Sequence, residues 1–145
     1  MKNFKYHLPP FLENKCSQQV YQKWLRRKAA NHVKRDRDRG NIKAKRAEYV
    51  DAIHRAVLES RGQDAYTGEP LDWALLSKYD NKAASKGGRN YKKKFAELPT
   101  VDHVGDGMGA PDFKISSWRV NDSKSDLTVR EFLDLCRKVL NFHRA

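Results

Sequence analysis

The stretch LPTVDHVGDG, residues 98–107, sets the carboxylate of Asp102 beside the imidazole of His103 where an apolar run ends. An Asp–His pair of this kind can be the polar mouth of a hairpin. It can also be half of a hydrolytic site. A carboxylate suits a hard divalent cation, and an imidazole can accept a proton near neutrality. Neighbouring residues on a regular strand point to opposite faces, so both reach one site only if the strand ends or bends there. Gly105 and Gly107 allow such a departure. Asp106 lies within the same stretch and is a rival ligand.

The elements around this pair follow from local pattern. FAELPTVDHV and FKISSWRV are short, rich in β-branched and aromatic residues, and separated by GDGMGAPD, which reads as a hairpin with a long glycine-containing loop. A last helix begins at the T-x-x-E capping box of Thr128 and Glu131, with Leu127, Phe132, Leu135, Val139 and Leu140 as its apolar stripe.

Upstream, residues 1–15 read as an extended arm broken by Pro9-Pro10. Ser17 caps a helix over 18–39 whose stripe is Val20, Trp24, Leu25, Ala29 and Val33. After the RGN break a second helix covers about 43–60, presents Tyr49, Val50, Ile53, Val57 and Leu58, and ends at Gly62. His32 and His54 in these helices are read as packing or surface residues. Thr67-Gly68 and Pro70 mark a tight turn, and Asp72 caps a short helix, WALLSKY. DNKAASKGGRNYKKK, residues 80–94, reads as a mobile basic loop with Tyr91 interleaved.

Lys plus Arg outnumber Asp plus Glu by 30 to 18 in the 145 residues, a formal charge of +12. That excess favours a polyanion, most simply nucleic acid. The candidate phosphate contacts are Arg26, Arg27 and Lys34 on the first helix, Arg89, Lys92, Lys93 and Lys94 in the basic loop, and Lys124. No long apolar run could span a bilayer, and the N-terminus lacks a signal-peptide pattern, so the expectation is a cytoplasmic protein with no membrane partner. Cys16 and Cys136 form no CxxC pair and are read as semi-buried residues. The chain is expected to be one domain, with a basic helical part over 1–62 and a catalytic part over 63–145 whose core is 98–126.

The order strand, Asp-His, loop, strand, Asn, helix resembles the HNH endonucleases and their ββα-metal (His-Me) finger. The resemblance rests on Asp102-His103, on Asp112 opening the second strand, on Asn121 nine positions later and on Lys124 three further on, and it spans about residues 64–126. It implies an α+β, mainly helical fold: N-terminal basic helices, the ββα finger and a final helix. It also implies a Mg²⁺- (or Mn²⁺-) dependent endonuclease acting on DNA, with Asp102 and Asn121 as metal ligands and His103 as base. Asp112 stands at the middle motif position, where the family usually carries Asn or His, and is placed with the catalytic residues. Many members clamp the finger with two CxxC pairs on zinc. Here Thr67, Ser117 and Val120 stand at such positions, so no structural zinc is expected and packing by Tyr66, Trp73 and Trp118 must replace it. The alternative is a non-catalytic nucleic-acid-binding protein on a degenerate form of the same scaffold. Target, nicking or double-strand cleavage, and monomer or homodimer stay open.

Overall fold

Helix α1, Gln18–Asp38, starts where Ser17 Oγ accepts the Val20 N–H at 3.1 Å. Its stripe drives it onto α2, Arg46–Ser60, and Trp24, Leu25, Ala29 and Val33 meet Tyr49, Val50, Ile53 and Val57 in the core. Apolar burial of this kind, at about 25 cal/mol per Å², is the main term holding the two helices together. The computed structural model describes residues 5–78 and 81–144 and, for residues 81–85, the backbone alone. The arm is held down over its described part. A 3₁₀ turn, Pro10–Leu12, buries Leu12 fully, and the Gln18 amide brackets the Leu8 N–H and the Tyr6 carbonyl, each at 2.6 Å.

The hairpin forms as the sequence pattern requires. Strands β1, Pro99–His103, and β2, Phe113–Ser117, are antiparallel, with Asp102 opposite Lys114 and His103 opposite Phe113. The sheet has only these two strands among the described residues. A two-stranded hairpin is marginal by itself. Here Val101, Phe113 and Ile115 join the same buried cluster as α1 and α2, and β2 packs on α2. The architecture is α+β and mainly helical.

Three elements differ from expectation. Residues 81–94 are helical (α3, Asn81–Lys94), not a loop, with a break at Gly88, whose φ of 55° and ψ of −135° lie outside the helical region. Glycine adopts such a conformation without steric cost, which explains how a helix continues on either side of it. Residues Tyr79 and Asp80 lie outside the described residues. The WALLS segment is a 3₁₀ turn, Trp73–Ser77, that Asp72 does not cap with its side chain. Helix α5, Val129–Arg144, has its capping box in reciprocal form, Thr128 N–H to Glu131 Oε1 at 3.0 Å and Glu131 N–H to Thr128 Oγ1 at 3.1 Å. Leu135, Val139 and Leu140 of its apolar stripe are nonetheless exposed, and Cys136 with them, while Leu127 and Phe132 are half-buried.

Short helix α4, Trp118–Lys124, follows β2 directly, because Ser117 Oγ accepts the Val120 N–H at 3.1 Å and turns the strand into a helix. The junction is clamped by a buried carboxylate. Asp64 Oδ1 accepts the N–H groups of Tyr66 and Thr67 at 2.7 and 2.8 Å, and its Oδ2 accepts the Ser117 N–H at 2.6 Å. One side chain thus ties the 64–68 turn to the β2–α4 junction, through the N–H groups of Thr67 and Ser117 among others, where no cysteine stands. Tyr66, Trp73 and Trp118 were expected to do this by packing. Trp73 is in the core, but the direct tie is polar.

Asp64→Ala would leave three backbone donors without their acceptor, each such loss costing about 1–3 kcal/mol where the group is buried. Urea unfolding should therefore place this variant at least about 2 kcal/mol below wild type, with Asp64→Asn, which keeps one oxygen, in between. Unfolding of Asp64→Ala at the wild-type midpoint would contradict the clamp.

Candidate functional site: a hairpin groove with two buried carboxylates

The chain leaves β1 at His103, and the Val104 N–H donates to the Asp112 carbonyl at 2.9 Å before the loop begins. Gly105 and Gly107 have φ of +92° and +80°, the left-handed region. At Gly107 there is a second constraint. A Cβ there would sit 2.6 Å from Asp36 Oδ1, so the loop approaches α1 more closely than any side chain would permit. The Gly107 carbonyl also accepts from Asn41 Nδ2 at 2.6 Å.

A groove of about 940 Å³ runs along this end of the hairpin. Asp102, His103, Asn121 and Lys124 all line it, with Arg35 from α1, Arg39 just past its end and Arg130 from α5. The strand alternation does send the neighbours different ways. His103 reaches α1, and Asp102 reaches α4 and the Tyr66 turn. Both still border one groove because the strand stops there.

His103 is positioned by Asp36. Its Nε2 lies 3.0 Å from Asp36 Oδ2, with the imidazole side chain 14% exposed and the carboxylate 2%. The same Oδ2 accepts the Tyr49 hydroxyl at 2.5 Å. Burial, and then the bond to Asp36, push the Tyr49 phenol up to about 12, so it remains a donor at neutral pH. An ionised carboxylate only accepts, so Nε2 must carry the proton and neutral His103 has its lone pair on Nδ1. Nδ1 makes no hydrogen bond among the described residues. This is the arrangement a proton acceptor needs.

Asp102 is held differently. Tyr66 donates its hydroxyl to Oδ2, and Lys124 Nζ lies 3.4 Å from Oδ1, with both partners of this ion pair under 10% exposed. Burial and the Asp102 contact push the Tyr66 phenol above its ordinary range. Lys124, expected among the phosphate contacts, is thus a buried partner of Asp102 that also lines the groove. Removing one member of a buried pair costs about 3–5 kcal/mol, because the other is left uncompensated.

The remaining expected residues separate. Asn121 lines the groove, and its carbonyl accepts the Ser125 N–H at 3.0 Å. Asp106 lines it as well, so the rival ligand is on the same groove. Asp112 is exposed and does not line it; its part is the backbone bond to Val104. Arg26, Arg27, Lys34, Arg89, Lys92, Lys93 and Lys94 are all exposed. Arg89, Lys92 and Lys93 border a smaller cleft with Trp118 and Asp122, and Lys92 pairs with Asp122 at 3.3 Å.

Asp36 and Asn41 have no place among the residues expected at the site, and Tyr49 was expected only as part of the apolar face of α2. For Asp36 a signal existed. It continues the spacing of Leu25, Ala29 and Val33 along α1, so it is a carboxylate on an apolar stripe, yet it sits inside the charge run RDRDR that masks it.

Among the described residues no group of three or more His, Cys, Asp or Glu side chains could hold a metal ion, and no helix is long and apolar enough to cross a membrane. Comparison with protein-family models, with curated proteins and with solved structures gave no match.

His32 packs behind the site, its ring 5.9 Å from that of His103 and 5.0 Å from Phe113. Its Nδ1 is buried without a partner. Desolvation, then the charges of Arg35, His103 and Lys28, lower it to about 4, so it is neutral in the fold. In the unfolded chain it titrates near 6.5. Between those values the unfolded state binds more protons, and stability falls as pH drops from about 6.5 towards 4, by about 3 kcal/mol in all. His54 is lowered by burial too and adds to the same slope. Urea midpoints across that range should show a shallower acid-side loss for His32→Leu than for wild type. Parallel curves would show that His32 does not carry the slope.

Proposed function

We propose that the chain is a divalent-metal-dependent endonuclease of the HNH type that hydrolyses phosphodiester bonds in DNA. The observation that carries this reading is the pairing of His103 with buried Asp36, on the groove that Asp102, Asn121 and Lys124 also line. The reading is further supported by the order β1, loop, β2, α4 around those residues and by the basic charge of the whole chain.

The donor set fits a hard cation. Asp102 offers a carboxylate and Asn121 an amide oxygen, and two protein oxygens suit Mg²⁺, which retains water and takes further oxygens from substrate phosphate. Asp102 already faces a cation, the Lys124 ammonium, in the structure. A bound Mg²⁺ would supply counter-charge to the phosphate and to the leaving oxygen. The chain's own residues do the rest. His103 Nδ1 takes the proton from the attacking water, while Asp36 fixes the tautomer and stabilises the imidazolium that results. With Asp102 committed to such an ion, the Lys124 ammonium would be free to bind a phosphate oxygen. Arg35, Arg39 and Arg130 hold the strand along the groove, and the exposed cations of α1 and α3 extend the phosphate track. Asp112 has no chemical role in this scheme.

A second reading has its own observation. Asp102 is fully engaged by Lys124 and Tyr66, which a binding protein without chemistry would tolerate. Nicking of supercoiled plasmid with Mg²⁺ separates the two. Wild type should nick, and His103→Ala should do so about 10²–10⁴-fold more slowly, with duplex affinity in EDTA unchanged. Asp36→Asn, a change at a positioning residue, should both slow nicking and move the pH–rate profile, because an amide can present a donor to Nε2 and upset the tautomer. Asp102→Asn, which keeps the shape of the buried pair, should raise the Mg²⁺ requirement. No nicking by folded wild type under any divalent ion would favour the binding reading, and full activity in His103→Ala would end the proposed role of the imidazole.

A further inference from the structure

A second cavity, of about 260 Å³, opens between α1, the start of β1 and α4. Arg27, Lys28 and Arg35 line it from α1, with Asn31 between them, and Asn121 and Trp118 line it from α4. No carboxylate lines it, and none of the three cations forms an ion pair among the described residues. Three unpaired cations around one concavity repel one another. The strain registers on Lys28, whose ammonium is pulled down to about 8 by burial and then by Arg27 and Arg35. An entering anion would relieve this.

The form of the cavity narrows the anion. Its floor includes apolar side chains, Leu98 and Pro99 among them, so an anion with a non-polar body fits better than a bare ion. Its volume lies below the roughly 300–1,000 Å³ of drug-sized ligand sites. That suits one nucleotide. Its position is equally specific, because Arg35, Val101 and Asn121 line both this cavity and the hairpin groove. A strand in the groove can therefore place its neighbouring nucleotide here.

We propose that the cavity is a phosphate-binding subsite that takes the nucleotide next to the one in the groove, through Arg27, Lys28 and Arg35. The proposal rests on the nucleic-acid reading above, and it gives the α1 cations a positioning task beyond loose phosphate tracking. A phosphate held at this point would set the register of the strand against His103.

The test compares two short probes on the full-length protein in EDTA: a thymidine dinucleotide with a 5′-phosphate and the same dinucleotide with a 5′-hydroxyl. NMR shifts of the Trp118 indole report occupancy. Two charge-assisted contacts should make the phosphorylated probe bind about tenfold tighter or better. Arg27→Met/Lys28→Met should abolish the preference, and Lys28→Arg, which keeps the cation, should retain it. Should the double variant fail to fold, Arg27→Met alone, at an exposed position, should narrow the preference several-fold. Equal affinity of both probes for wild type, or a preference that survives in the folded variants lacking the cations, overturns the subsite. Plasmid nicking with Mg²⁺, measured in parallel, keeps the two ideas apart. A phosphate preference without nicking under any divalent ion leaves the subsite standing and favours the binding reading over the nuclease. Nicking without the preference overturns the subsite alone.

Discussion

The carboxylate of Asp36 joins parts of the chain that nothing in the local sequence brings together. It sits on α1, accepts from Tyr49 of α2, holds His103 at the end of β1 and lies against Gly107 in the hairpin loop. A buried carboxylate without partners would be costly, so these contacts are mutually dependent. Packing of α1 on α2 supplies one donor, and the hairpin supplies the other. The proton on His103 Nε2, and with it the free lone pair on Nδ1, follow from the same constraint.

A second buried carboxylate, Asp64, fixes the other end of the hairpin. It binds three backbone N–H groups across a span of more than fifty residues and orders the junction from which α4 departs. Asn121 and Lys124 depend on that departure, since α4 has only two turns in which to direct them to the groove. Both ends of the hairpin are therefore held by a carboxylate accepting from groups that would otherwise lose their water. In the proposed reading this replaces a zinc clamp with hydrogen bonds.

The charges divide by environment in the same way. Most of the excess cations are exposed on α1 and α3, where they are well solvated and contribute little to stability. A few are different. Lys124 is buried on Asp102, and Lys28 is desolvated among like charges beside a cavity. Cations that burial makes costly, and that border concave surface, are the ones whose positions suggest an anionic partner at a defined place and not merely a polyanion somewhere on the surface.

The local elements were legible in the sequence because each has a short-range cause. Ser17 and the Thr128–Glu131 box act within one helical turn, and the β1–β2 hairpin follows from alternating β-branched residues around a glycine loop. That Asp102, His103 and Asn121 border one groove was expected only through the family resemblance, not from a local cause. The basic stretch at 81–94 was misread, because polar composition and Gly87-Gly88 argue for a loop, and one glycine outside helical geometry is enough to let a helix persist around them. The exposed stripe of α5 was unreadable in principle, since periodicity says that a face is apolar but not what covers it. Only the tertiary structure could show that Asp36 lies under His103, that Asp64 closes the β2–α4 junction and that Lys124 faces Asp102. Those contacts join residues tens of positions apart, and their energies arise from burial and shared hydrogen bonds, which the order of residues along a chain does not encode locally.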